Sequence, residues 1–569
     1  MGINEMNYYT DYILHIQEAF DSTVIPTVEQ PQYNSFPFKQ SWQGQNEATE
    51  TIINNERTVL CSHTGSGKTS VILTAAAELG LPSLIIEPKK FLQAQVLNYD
   101  VPNMFVLYGR SEYNCNFTKS AALAPCLNRY SKEDEDTGKS HIVFDVFQYQ
   151  LNNCNKSYFS AEETNEHIVN CDRCNAFTKI PYQEANPFPC YNCRYIEALN
   201  KAKQTLLHNG ILVVNSFNFY PYRDKAKFII IDEADEFFRS VTSSVLLNYV
   251  SLIEDDVKSM LRTEHTAIES DIKKLRAESE ETNKIYTAER KLERLQFFIS
   301  NSDLCFSYHK KVKRHSDRIY VEMLPQYEHI LQRLFSNDSD DSNNNTRICL
   351  VTATPGSYDG VRINYEVPQR SLVLYTPIGK MTSTYVFQHH HEYLLENAYK
   401  FITYWFDMFQ RLFGAKKTVV HTGNLAKHAA ALYNFFNADG RYKTVLHEKG
   451  NLKGTIDDFL ADSEAQILLV TAGEYGLNLK EILVQFVLKI PYATYDDRVR
   501  ALEKRLGKDK FKEWYDWDSV SRVIQGAGRI SRGSGDRGCT FLMDSKFFEL
   551  YKQYHDNMPS WFLDRLVGV

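Results

Sequence analysis

The sequence predicts an α/β protein built from two parallel-sheet units, and three observations carry that reading. A strand, a glycine-bearing turn and an Ala-rich helical run succeed one another over 57–79. Short apolar runs then alternate with helical stretches, as a doubly wound sheet requires. A second series of such runs begins at Thr418. The chain of 569 residues exceeds what one core organises, and its length suits roughly three to four domain-sized units.

Taken in order, the first strand is Val59-Leu60-Cys61, followed by the turn Ser62-His63-Thr64-Gly65-Ser66-Gly67-Lys68-Thr69. Runs at 83–86, 105–107, 211–214 and 228–231 are each long enough for a buried parallel strand, and 347–351 is another. The second unit offers 418–421, 444–446, 467–470, 486–490 and 540–543. Two surpluses interrupt the first unit. One, over about 109–203, holds the cysteines; the other lies between Asp232 and Thr352. Within the latter, residues 257–299 are charged, lack proline and repeat apolar positions at helical spacing, which predicts helical hairpins projecting from the sheet. The polar run 337–345 has nothing to bury and reads as a surface loop or disordered turn.

Composition narrows the classes. With 43% hydrophobic residues and no apolar run near the ~18 residues of a membrane span, a soluble globular protein without a bilayer partner is expected. The 64 Lys+Arg against 71 Asp+Glu leave a net charge of -7. That excludes generally basic nucleic-acid binding but leaves a local basic groove open. The start, Met1 to Glu5, lacks a basic flank and an apolar core, and Met6 breaks the myristoylation pattern, so an intracellular location is expected. Seven of the eleven cysteines fall within 115–193. In a reducing compartment that clustering favours metal or iron–sulfur ligation over disulfides.

The chemistry begins at Gly65-Ser66-Gly67-Lys68-Thr69. Between a strand and a helix, such glycines let backbone N–H groups wrap phosphates, Lys68 meets the β/γ oxygens and the Thr69 hydroxyl ligates Mg2+. Ser62, His63 and Thr64 complete the loop. At the end of an apolar strand, Asp232-Glu233-Ala234-Asp235 places Asp232 to hold Mg2+ and Glu233 to orient water as general base. In Gln525-Gly526-Ala527-Gly528-Arg529-Ile530-Ser531-Arg532, residues Gln525, Arg529 and Arg532 recur at helical spacing on one face, where guanidinium groups suit a γ-phosphate. Gln45 reads either as an adenine contact or as a polar surface residue. The pairs Cys171-x-x-Cys174 and Cys190-x-x-Cys193 are separated by a spacing that by itself reads as tetrahedral zinc. The basic run Lys310-Lys311-Val312-Lys313-Arg314-His315, with Tyr308 beside it, reads either as a nucleic-acid contact or as a solvated face.

In this order the motifs resemble superfamily 2 helicases of the XPD/DinG type. The phosphate loop is similar to motif I, Glu87-Pro88-Lys89-Lys90 with Leu92 and Gln95 to motif Ia, 232–235 (the DEAD motif) to motif II, Thr352-Ala353-Thr354 to motif III and 525–532 to motif VI. The segments around Cys115 and Cys193, and Ile490-Pro491-Tyr492, echo the XPD/DinG subgroup. The resemblance covers nearly everything from about Phe36 onward and implies two RecA-like motor domains. The first comprises 1–108, 204–239 and 346–377, and is interrupted by a cysteine-rich iron–sulfur (or zinc) insertion at 109–203 and a helical arch-like insertion at 240–345; the second is 378–569. It further implies ATP and Mg2+ as cofactors and a four-iron, four-sulfur cluster drawn from Cys115, Cys171, Cys174, Cys190 and Cys193, with Zn2+ the alternative. Single-stranded or forked DNA is the implied partner, with 5′ to 3′ movement; RNA, a translocase that does not unwind, and a nucleotide-gated binding module remain alternatives. One departure stands in motif V, where Asn478 replaces a carboxylate.

Overall fold

The computed structural model describes residues 3–21, 27–63, 65–88, 93–94, 96–109, 112–113, 129–133, 140–144, 180–181, 194–216, 218–241, 244–250, 256–277, 282–312, 315–324, 331, 346–354, 358–365, 367, 370–423, 425–447, 452–470, 482–528, 530 and 537–569. Parallel sheets with covering helices are present, as expected. The chain divides into two compact units: 1–78, 349–495 and 506–569 form one, and 79–348 with 496–505 form the other.

The first unit contains a seven-stranded parallel sheet in the order Lys443–Leu446, Ala465–Val470, Thr418–His421, Val484–Val487, Arg537–Asp544, Arg370–Gly379, Leu566–Val567. Side chains alternate between faces along each strand. Phe486 and Phe541 therefore point together, stack on each other at 5.2 Å and pack in one core with Trp405, Phe406 and Phe409 of the helix Tyr393–Phe413. Val487 and Leu542 face the other way, onto Val520, Val523 and Ile524 of the helix Lys508–Ala527. Each such buried side chain contributes roughly 1.5–3 kcal/mol. The helix Ile3–Asp21 sends Tyr12, Ile16 and Phe20 into the Trp405 core, so it packs on this C-terminal sheet although the sequence places 1–108 with the first motor. Likewise the strand Arg370–Gly379 pairs with Arg537–Asp544, so the second sheet begins before residue 378. Both differences have one cause: pairing and packing partners lie far away in the chain, where local periodicity carries no signal.

Also in this unit, Val361–Asn364, Arg57–Cys61 and Arg347–Thr352 lie in that order, the first two strands pairing in parallel. In the other unit, Phe228–Ile231, Ser83–Glu87, Ile211–Asn215 and Met104–Leu107 form a parallel series in that order.

The second insertion is more than helical. The helices Val257–Ala277 and Thr282–Ser300 are present, but they share a core with an antiparallel sheet of Val245–Leu247, His315–Met323 and Cys305–Val312. The buried Glu264 carboxylate accepts the N–H groups of Asn248 and Tyr249, both at 2.8 Å, and pairs with Lys291 at 2.5 Å. This one group ties both helices to the end of the first strand. The helix Asp497–Leu506 belongs to the same unit, and its Arg498 grips Glu322 through two guanidinium nitrogens. Tyr308 is buried, with its ring stacked 5.5 Å from that of Tyr320, so it serves packing rather than a base platform. No described helix is long and apolar enough to cross a membrane.

Candidate nucleotide site

The glycine-bearing loop expected to bind phosphate lies in the first unit between the buried strand Arg57–Cys61 and the helix Lys68–Leu79. Gly65 and Gly67 hold φ values of 85° and 79°, a region that residues with a Cβ enter at a cost. Lys68 Nζ donates to the carbonyls of Ser62 at 2.8 Å and His63 at 3.0 Å. Three neighbouring segments brace the loop from outside. Gln45 Nε2 and the Tyr365 hydroxyl both donate to Ser66 O at 3.0 Å. The Ser62 hydroxyl donates to Tyr365 O at 2.8 Å, and His63 Nε2 lies 2.9 Å from Val367 O. The Ser62 N–H reaches Thr352 O at 3.3 Å, where the Thr352 hydroxyl accepts the Thr354 N–H in a tight turn. Thr69 lies in the first turn of the helix, and Thr64 lies outside the described residues.

Gln45 is therefore no surface residue: it is 3% exposed, and its Oε1 accepts the Trp42 N–H at 2.8 Å. With both ends of its amide engaged by backbone, it braces the loop in this conformation instead of presenting itself to a base. This explains the demand for glycine at 67, because a Cβ there would overlap Gln45 Nε2. Gly67→Ala is expected to weaken nucleotide binding by about tenfold or more, since the positive φ and the displaced Gln45 each take of order 1 kcal/mol. Gly80→Ala is the control: φ is 58° and nothing lies within 4 Å of the added Cβ, so only the backbone effect remains. Equal nucleotide affinity in the two variants would contradict the role given to Gln45.

In the other unit, Asp232 and Glu233 follow the strand Phe228–Ile231. The Asp232 N–H bonds to Ile86 O at 3.0 Å, and Asp232 Oδ1 accepts the Glu233 N–H at 2.9 Å. Glu233 takes φ 45°, a left-handed backbone outside glycine, before the helix Ala234–Val241 starts. Such strain persists only where surroundings over-determine it. The adjacent strand ends at Glu87, which is 1% exposed and hydrogen-bonded to Asp232. Burial, then the Asp232 and Glu233 carboxylates, push its carboxyl well above the usual range. Its Oε2 has no protein partner. In the sequence, the signal for this third carboxyl is an acid closing the apolar run Ser83–Glu87.

Gln525 lies in the last turn of the helix Lys508–Ala527, which stops before Arg529. The expected single helical face over 525–532 is thus corrected. Gly526 and Gly528 sit at a helix end, where the absence of a Cβ is far less disruptive than mid-helix. The buried Gln485 amide fixes that end, donating to Gly526 O at 3.0 Å and Thr540 Oγ1 at 2.8 Å while its Oε1 meets His421 Nε2 at 3.2 Å. Arg529 and Arg532, Asn478, and the cysteines Cys115, Cys171, Cys174, Cys190 and Cys193 lie outside the described residues. Among the described residues no group of His, Cys, Asp and Glu suited to a metal ion is found.

Comparison with known proteins adds the class. Residues 415–565 match the helicase C-terminal domain family. No curated protein matches the chain in sequence. A solved chain titled XPD_Helicase is similar with a TM-score of 0.53 at 14% identity, covering 90% of this chain and 96% of that one. A second, titled XPD_APO, gives 0.46 at 13% identity over 90% and 97%, and Xpd4 of S. tokodaii gives 0.44 at 11% over 90% and 97%; neither adds weight. The C-terminal segment 415–565 is thus a module of the helicase C-terminal kind, and the fold of the chain is similar to that of the XPD_Helicase chain.

Proposed function

We propose that this chain is an ATP-driven helicase or translocase acting on single-stranded or forked DNA, with the 5′ to 3′ direction that the XPD/DinG resemblance implies. The observation that carries the reading is the braced loop, with two left-handed glycines and Lys68 held on loop carbonyls. The residues present suit a triphosphate: the lysine ammonium can exchange carbonyls for phosphate oxygens, and the metal would come with the triphosphate, since the described residues hold no metal-binding group of their own. Bound magnesium would neutralise phosphate charge. Lys68 and Thr69 would hold phosphates and metal, Asp232 the metal and Glu233 the attacking water. Gln525, Arg529 and Arg532 would sense the γ-phosphate. A four-iron, four-sulfur cluster on the clustered cysteines, with zinc as the alternative, belongs to this reading through the resemblance alone.

The test is strand displacement on matched DNA and RNA forks with ATP consumption followed in parallel. DNA strands are expected to separate at the expense of ATP, with Glu233→Gln losing both activities. Displacement confined to RNA forks would transfer the substrate to RNA. Turnover stimulated by DNA without displacement would make the chain a translocase, and no turnover at all would leave a nucleotide-gated binding module.

A further inference from the structure

Trp561 lies outside every motif described above, yet it reaches the phosphate loop. It belongs to the short helix Ser560–Leu563 and is 3% exposed. Its root is the core of the C-terminal sheet, shared with Val487, Leu542, Phe547 and Phe562. Its ring carries the Arg565 guanidinium at 5.3 Å, and the Arg565 carbonyl accepts the Val373 N–H at 2.8 Å, which fixes this end of the chain to the sheet. The indole also meets the His63 ring edge-on, with centroids 6.1 Å apart and planes at 67°.

His63 is the second residue of the loop and is fully buried. Three contacts converge on it: its ring touches Trp561, its Nε2 lies on Val367 O, and its carbonyl accepts Lys68 Nζ. A rigid aromatic anchored in a packed core limits where that ring can go. Through the ring it limits the carbonyl on which the lysine rests. We infer that Trp561 is a positioning residue for the phosphate loop, holding His63 and thereby the Lys68 ammonium in place. This inference rests on the nucleotide reading of the loop and deepens it, because it makes the C-terminal segment part of the binding apparatus. It also has an optical consequence. When phosphate draws Lys68 off the Ser62 and His63 carbonyls, the surroundings of His63 change, and the adjoining indole registers the change.

The experiment uses the full chain as wild type, Trp561→Phe and Trp561→Ala, with ATP affinity measured by equilibrium dialysis and tryptophan emission recorded with and without ATP. All three proteins carry Trp42→Phe for the emission measurement, because the Trp42 ring lies beside Gly67, and Trp405, Trp514 and Trp517 remain as a common background. Trp561→Ala is expected to bind ATP about five- to tenfold more weakly, the scale of one lost aromatic contact. Trp561→Phe, which keeps a ring edge for His63, should return to within about twofold of wild type. ATP should alter wild-type emission, and that alteration should vanish in Trp561→Phe. Unchanged affinity in a folded Trp561→Ala protein overturns the inference. Should Trp561→Ala fail to fold, the emission comparison decides, and an ATP response that survives intact in Trp561→Phe overturns it. Absence of ATP binding by the wild type is a separate result, which refutes the nucleotide reading itself.

Discussion

Lys68→Ala is expected to lower nucleic-acid-stimulated ATP turnover by about 100- to 1,000-fold, the range found when one preorganised charge-stabilising donor is removed from an active site. The ammonium now donates to Ser62 O and His63 O, so it is already held within the loop rather than swinging in solvent. Its positive charge has no substitute among the loop's other side chains, which are serine, threonine and an imidazole held at Val367 O. Stability should change far less. The two carbonyls it leaves are part of a loop braced independently by Gln45 and Tyr365 through Ser66 O. Lys68→Arg should not restore turnover, because a planar guanidinium does not fit where a compact ammonium sits between two carbonyls. Parallel measurement of ATP hydrolysis and thermal unfolding checks both statements. Full turnover in Lys68→Ala would remove the loop from the chemistry.

Replacing His428 by Phe is expected to spare the protein about 3 kcal/mol of the stability otherwise lost between pH 6.5 and 4. Burial, with smaller contributions from the charges of Lys489 and Lys427, pushes His428 down to about 4. Burial also pushes His421 down to about 4, against the opposing hydrogen bond from Gln485. The direction follows from which state binds the proton first. A histidine with its folded value below the ordinary ~6.5 is protonated in the unfolded chain while still neutral in the fold. Falling pH therefore favours unfolding, starting near 6.5 and levelling off near 4. Each such group contributes about 3 kcal/mol over that window, a large part of the ~5–15 kcal/mol that a folded domain possesses. Glu87 and Asp544 act in the opposite sense, since burial raises their values and the fold takes up their protons first. The histidine effect is accordingly read as a difference: denaturant unfolding at several pH values, wild type against His428→Phe. Parallel curves for the two proteins would show that His428 does not titrate as its burial dictates.

The strand, left-handed glycine turn and helix around Lys68 and most strands of both sheets were legible in the sequence because their causes are local. Apolar runs such as Phe228–Ile231 are too short and too β-branched for buried helices, and a glycine turn ahead of Lys68 requires left-handed backbone at fixed positions. Conversely, nothing local announces that the strand Arg370–Gly379 pairs with Arg537–Asp544, that Tyr365 reaches Ser66, or that Trp561 touches His63. These contacts join residues that lie far apart in the chain. The helix end at Ala527 is a related case: spacing alone continued the helix through 532, whereas the Gln485 amide takes the Gly526 carbonyl at the last turn. Residue types and their short-range order determined which strands and turns form and which chemistry is proposed for them. Only the closed tertiary packing decided which distant side chains hold that chemistry in place, because the energy of a long-range contact exists only after the loop between its partners has been closed.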